Sequence, residues 1–474
     1  MRWRVHTQFG LLAAALFGVS ACTPALPDRA LDADVPPPEA WSANAQASAQ
    51  PLIDGWLQTF EDDRLEELVR LAQVRNPDLR LAMARFQQAR SSAKVAFADR
   101  LPSLNATFNP TRLQSRFTAP NGIVGVVRQN QFALSGEVNW ELDVWGRVAA
   151  NVAAADADYL ASEADLVAAR LSLGANVARS YYDVVSAAEL LNLARESVES
   201  FDRSLKIVES RYRRGITNAL DVRLAANSLE SARALEVQRA SGLDNARRSL
   251  ETLLAQYPAG DIAVGGALPN LAALDGVGMP SDLLSRRPDV AASFIRLNAA
   301  DYRVAAAKRQ LLPTINLNGT SGNQTEIFSD FLDFDSLVWR ITTSLTQPVF
   351  QGGRLRNQVK LNQARADEAL ANYAQVVLTA FREVETALAN DRFLEDREAF
   401  SAAAVDEAAA AARLAQQQYS RGLTAILNLL DAQRRELDSR NQLIDIRSAR
   451  VQNLVNLYLA LGGPVTEESE EAPS

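Results

Sequence analysis

Two segments of the chain alternate with a period of two. Phe132, Leu134, Val138, Trp140, Leu142 and Val144 fall on even positions, with Gln131, Ser135, Glu137, Asn139, Glu141 and Asp143 on odd ones. Leu337, Trp339, Ile341 and Leu345 alternate with Arg340, Thr342, Ser344 and Thr346. Successive side chains of a strand point to opposite faces, so each segment predicts a strand with one apolar and one polar face. Partner strands are expected to begin at Leu101 and Leu312, and Pro120-Asn121-Gly122 is a turn signal between the first pair. Each half of the chain thus predicts one hairpin.

Elsewhere the period lengthens. No proline occurs from Asn121 to Tyr257 or from Val349 to Gly463. Proline inside a helix removes a hydrogen bond and clashes with the preceding turn, so these are the stretches where long helices can run. Residues 147–210 are rich in Ala, Leu, Arg and Glu, all good helix formers. As one helix they would make a rod on the order of 95 Å. Along it Val177, Tyr181, Val184, Ala188, Leu191, Ala194, Val198, Phe201, Leu205, Val208 and Tyr212 step by four or three, the coiled-coil spacing. The matching second stretch places Asp391, Glu395 and Glu398 where the first has apolar residues. Gly215 and Gly422 are expected to end the rods, with Thr217 and Thr424 capping the returning helices over 219–256 and 425–461.

The two halves repeat. Asn76-Pro77-Asp78-Leu79 recurs as Arg287-Pro288-Asp289-Val290, and Leu101-Pro102-Ser103-Leu104-Asn105 as Leu312-Pro313-Thr314-Ile315-Asn316, both at an offset of 211. Trp145-Gly146-Arg147 answers Gly352-Gly353-Arg354, and Tyr212-x-Arg214-Gly215-x-Thr217 answers Tyr419-x-Arg421-Gly422-x-Thr424, both at an offset of 207. Four landmarks in register describe a duplicated domain rather than a solenoid. The organisation expected is a signal peptide over 1–21, a tether over 22–55, repeats over 56–265 and 266–463, and an acidic disordered tail over 464–474.

Composition removes most chemistry. The chain of 474 residues has one histidine and one cysteine, His6 and Cys22. A mature chain cut at Cys22 has no Ser/His/Asp or Cys/His triad, no Cys/His zinc site and no disulfide. A net charge of −8 argues against nucleic-acid binding. No cofactor is expected. Arg2 and Arg4 precede an apolar run over 9–19, too short to cross a bilayer. That run ends Val19-Ser20-Ala21-Cys22, which resembles a bacterial lipobox with Cys22 as the lipidated residue. By analogy with lipoprotein sorting, Thr23 favours the outer membrane.

A soluble sandwich would also explain the alternation, but Glu137, Glu141 and Asp143 suit a water-filled lumen, and Trp140, Trp145 and Trp339 an interfacial belt. Open sheet edges do not face lipid, and four strands do not enclose a usable bore, so several chains must combine. Three give twelve strands; two or four stay open on this count.

With the lipobox, the duplicated hairpin-plus-rod plan and the Gly-x-Thr turns, the chain resembles the TolC family of outer-membrane factors, especially its lipoprotein branch (OprM- and NodT-like). The resemblance runs from about Trp56 to Gly463 and is strongest over Leu284–Leu312 and Tyr419–Arg434. It implies an α+β homotrimer: a twelve-stranded outer-membrane barrel continuous with a periplasmic coiled-coil barrel of helices. It implies an efflux channel rather than an enzyme, docked on a periplasmic adaptor and a proton-driven inner-membrane pump.

The resemblance also implies a periplasmic gate. Leu427-Asn428-Leu429-Leu430-Asp431-Ala432-Gln433-Arg434 matches its motif, and Leu427 and Asp431 share a helix face. Three copies would form an apolar ring and an acidic ring. Asn428 stands where some members carry a second acid. A closing link falls on Tyr419 and Asp221, expected as a phenol–carboxylate hydrogen bond; the family's arginine partner falls on Thr424. The turns holding Gly215, Thr217, Gly422 and Thr424 are the expected adaptor contacts. Three alternatives are distinguishable: a conduit for type I secretion of protein or peptide, a periplasmic adaptor lipoprotein with a single helical hairpin, and a carboxylate enzyme, which needs two opposed acids in a pocket.

Overall fold

The computed structural model describes residues 29–43, 55–118, 120, 122–271, 277–328 and 337–463. The signal segment, Cys22 and the tail over 464–474 lie outside them. The first half runs α1 (Asp63–Arg75), α2 (Pro77–Ala98), β1 (Ser103–Thr118), β2 (Val124–Leu142), α3 (Arg147–Arg213) and α4 (Ala219–Leu253). The second runs α5 (Pro280–Arg286), α6 (Pro288–Arg309), β3 (Thr314–Thr325), β4 (Val338–Thr346), α7 (Arg354–Ser420) and α8 (Ile426–Ala460). Helix lengths repeat: 22 residues in α2 and α6, 67 in α3 and α7, 35 in α4 and α8. The duplication is therefore structural as well as sequential. β1 and β3 start later than expected because Leu101 and Leu312 still donate to Ala98 and Arg309 in the last turn of the preceding helix. Among the described residues no helix is long and apolar enough to cross a membrane.

The chain forms two compact units. One holds the strands, which form one antiparallel sheet in the order β1-β2-β3-β4. Its register decides the faces. Leu104 pairs with Val138, Val138 with Gly319, and Gly319 with Ile341. Paired residues point the same way, so Leu104, Phe108, Leu134, Val138, Leu317 and Ile341 share one face. Asn105, Thr107, Glu137, Asn318, Thr320 and Arg340 share the other. The alternation read separately in two segments is thus continuous across four strands. Trp140 lies near the end of the sheet that joins the helices, whereas Trp339 pairs with Ser321 well inside it, and Trp145 lies beyond β2 with its indole bound to the Pro313 carbonyl. A single aromatic row does not result. Asp143 caps α3 by accepting from the Val148 and Ala149 amides at 2.9 and 2.6 Å. In the same unit, part of the segment expected as a free tether is docked: Arg29 donates to Asp301 at 3.2 Å and to Asp367 at 2.7 Å.

The other unit is helical. Val177, Tyr181, Val184, Leu191, Phe201 and Val208 of the expected stripe are buried, but Tyr212 is exposed. The helix ends at Arg213, and Arg211 rather than Tyr212 turns inward. One acid of the second rod has a physical reason. Glu398 accepts from Arg447 at 2.9 Å and from the buried Arg450 at 2.7 Å. Trp41, also within the expected tether, is buried and donates its indole N–H to the Gly278 carbonyl at 3.0 Å.

Candidate functional site at the helical turns

Both rods end in the same way. Gly215 and Gly422 have φ of 72° and 79°, a left-handed conformation that glycine adopts without penalty. The Ile216 amide reaches back to the Arg211 carbonyl, and that of Leu423 to Gln418. These are paired Schellman closures.

The threonines that follow do not cap. Asn218 caps α4, accepting from the Asp221 amide at 3.0 Å, and Ala425 precedes α8 without offering a side-chain cap. Thr217 instead donates to the Asp221 carboxylate, and Thr424 accepts from the Asn428 carboxamide at 2.9 Å. Each turn is thus braced by a threonine and the polar residue four positions on. In this bracing Asn428 is the counterpart of Asp221.

The expected bond between Tyr419 and Asp221 is absent, because Thr217 occupies the carboxylate. The buried Tyr419 hydroxyl makes no well-aligned hydrogen bond among the described residues, with the Thr217 hydroxyl beside it. Burial holds its pKa above the usual phenol value; nearby Arg211 pulls it down, Asp221 adds to the rise, and the Thr217 hydroxyl lowers it again. The link that does form comes from Arg211, which donates to the Tyr419 carbonyl at 2.8 Å and stands 4.9 Å from the ring centroid. Its guanidinium supplies the cation that Thr424 cannot.

Two faces of α8 do different work. Ile426, Leu429 and Leu430 are buried in a cluster with Phe201, Val208 and Tyr419. Leu427 and Asp431 lie on the exposed side. Asp431 accepts from Arg435 at 2.9 Å, so the acid carries its own counter-charge one turn along. Buried between the helices, the Gln433 carboxamide donates to Ser200 at 2.9 Å and Ser204 at 3.0 Å. Leu427, Asp431 and the four turn residues are therefore accessible or surface-braced, and Tyr419 is an internal anchor.

The chain matches the outer membrane efflux protein family over residues 68–256 and 279–463. It is 34% identical over 440 residues to outer membrane protein OprJ of Pseudomonas aeruginosa, covering 90% of each chain. It is 31% identical to the probable outer membrane lipoprotein SilC of Salmonella typhimurium, covering 86% of this chain and 88% of SilC. The solved structure of the outer-membrane channel OprN superposes with a TM-score of 0.85 at 28% identity, covering 94% of this chain and 99% of that one. This chain belongs to the outer membrane efflux protein family.

The resemblance to the TolC family is thereby borne out, and the family is one of channel proteins rather than enzymes. In this efflux protein, sequence reasoning missed Arg211 and Arg435, and gave no role to Gln433, which lies inside the gate motif. Arg435 had a signal, a cation four residues after Asp431 on a helix. Arg211 and Gln433 had none, because their partners are 208 and more than 200 residues away in the chain.

Proposed function

We propose that this chain is the outer-membrane channel of a tripartite efflux system, exporting small molecules, drugs among them, passively across the periplasm and outer membrane. One observation carries the reading: the strand register gathers the apolar residues of all four strands on one face and the strand carboxylates on the other. Three copies close a twelve-stranded barrel with the apolar face on lipid and Glu137, Glu141 and Arg340 on the bore. From Leu142 to Phe132 the apolar face is about 33 Å along a strand, or about 25 Å at a tilt near 40°, the height of an outer-membrane apolar band.

Diacylated Cys22 adds a lipid anchor on the periplasmic leaflet, a reading supported by the lipoprotein name of SilC. The helical turns around Gly215, Thr217, Gly422 and Thr424 meet a periplasmic adaptor, and the energy comes from an inner-membrane pump coupled to protons. Leu427 and Asp431 narrow the bore as an iris-like gate. Opening repacks the tip helices between two arrangements, against the link from Arg211 to Tyr419.

The test pairs a planar bilayer with a deletion strain. Asp431→Ala should raise conductance or open probability, and loss of the gene should sensitise cells to drugs. An unchanged conductance removes Asp431 from the gate. Wild-type protein that stays a water-soluble monomer without detergent removes the channel itself.

A further inference from the structure

The apolar face of the sheet changes character along the first hairpin. Its apolar levels end at Pro110 opposite Phe132. The next levels are Arg112 opposite Asn130, Gln114 opposite Arg128, and Arg116 opposite Val126. Pairing and strict alternation put all three arginines on the same face as Phe108 and Leu134. All three are exposed. Arg128 is fixed toward β1 by donating to the Gln114 carboxamide at 2.8 Å.

Charge is partitioned between the faces. The strand carboxylates Glu137 and Glu141 sit on the opposite side, and among the described strand residues the arginine-bearing face has no acid. Arg112 and Arg116 are four residues apart on one strand, about 13 Å, with Arg128 between them on the next. Three like charges at this spacing repel unless an anion joins them. β3 ends at Thr325, level with Phe132, so among the described strand residues only the first hairpin reaches the arginine levels.

Position names the anion. The arginines lie just past the apolar levels, at the hairpin end of the strands, away from the ends that join α2 and α3. With the helices periplasmic, that is the headgroup level of the outer leaflet. We infer that Arg112, Arg116 and Arg128 form a binding patch for a phosphorylated outer-leaflet glycolipid headgroup, one patch per chain. Guanidinium forks suit phosphate oxygens in pairs. The inference rests on the barrel reading above, and its test separates the two.

The full-length protein in detergent is incubated with diphosphoryl lipid A, monophosphoryl lipid A or phosphatidylcholine, and retained lipid is read by native mass spectrometry. Retention should fall in that order and weaken with salt. The variant R112Q/R116Q/R128Q should lose about tenfold or more of the diphosphoryl lipid, with graded losses in the single variants. R340Q, on the opposite face, should retain it. Equal retention by wild type and the triple variant, with both inserting into vesicles, overturns the patch and leaves the channel standing. Full displacement of the lipid by millimolar inorganic phosphate also overturns it, in favour of a free-anion site. Failure of the wild type to insert overturns both readings.

Discussion

The Arg287 guanidinium donates to the Ala460 carbonyl at 3.0 Å. At the matching place in the first half, the Asn76 carboxamide donates to the Leu253 carbonyl at 2.8 Å. In each repeat the residue before Pro-Asp therefore secures the end of that repeat's last helix, with different chemistry. Arg287 also holds Glu383 and Asp289, each at 2.7 Å. Asp289 and Glu383 are nearly half exposed and regain water, but the bonds to three partners and the packing of a buried guanidinium are lost together, so Arg287→Ala should cost about 2–3 kcal/mol. Asn76→Ala should cost about 1–2 kcal/mol. Denaturant unfolding in detergent, followed by circular dichroism, ranks the two; an equal or reversed order would contradict the pairing.

Gly462 closes the same corner. Its φ is 69°, and a Cβ there would lie 2.8 Å from the Arg286 carbonyl oxygen. Backbone cannot swing aside as a flexible side chain can. Gly462→Ala should therefore destabilise by about 2 kcal/mol or more through strain and clash together. Gly215 also has positive φ but nothing within 4 Å of its Cβ position, so Gly215→Ala should cost only the conformational part, about 1 kcal/mol. Melting temperatures of the two variants check the difference.

At the tip, Arg211→Ala removes the bond to the Tyr419 carbonyl and the contact with its ring. Gln433→Leu removes the buried bonds to Ser200 and Ser204. If these links hold the closed arrangement, losing about 1.4 kcal/mol of one raises open probability roughly tenfold while it is small. Single-channel recording measures this. Channels that open no more often in either variant would show that the links brace the bundle without gating it.

Glu251 gives a dependence on acid. Its buried carboxylate accepts from the amides of Gly260, Asp261 and Ile262 at 2.7–2.9 Å. Burial pushes its pKa up, but the three amides outweigh burial and hold it below the usual carboxylate value. A depressed folded pKa means the stabilisation is complete above the unfolded value and fades as pH falls through the folded one. The segment over 260–262 should lose amide-exchange protection below about pH 4. Glu251→Gln should lose it at neutral pH; protection that does not change with pH would rule the carboxylate out as its source.

The periodicities determined most of the architecture. Apolar alternation placed β2 and β4, proline-free stretches placed the four long helices, and the offsets of 211 and 207 placed the duplication. These are local properties: a strand's two faces and a helix's stripe follow from side-chain directions along one segment. Which faces of different strands coincide is a matter of register. Only the pairing of Leu104 with Val138, and of Gln114 with Arg128, put the arginines of β1 on the side that carries the apolar residues of β2. Likewise Tyr419 and Asp221 were named from a motif, yet their partners were decided by packing. Thr217 is closer to Asp221, and α3 returns Arg211 to Tyr419 across 208 residues of chain. Contacts of that separation depend on the whole fold closing, and no pattern along one segment encodes them.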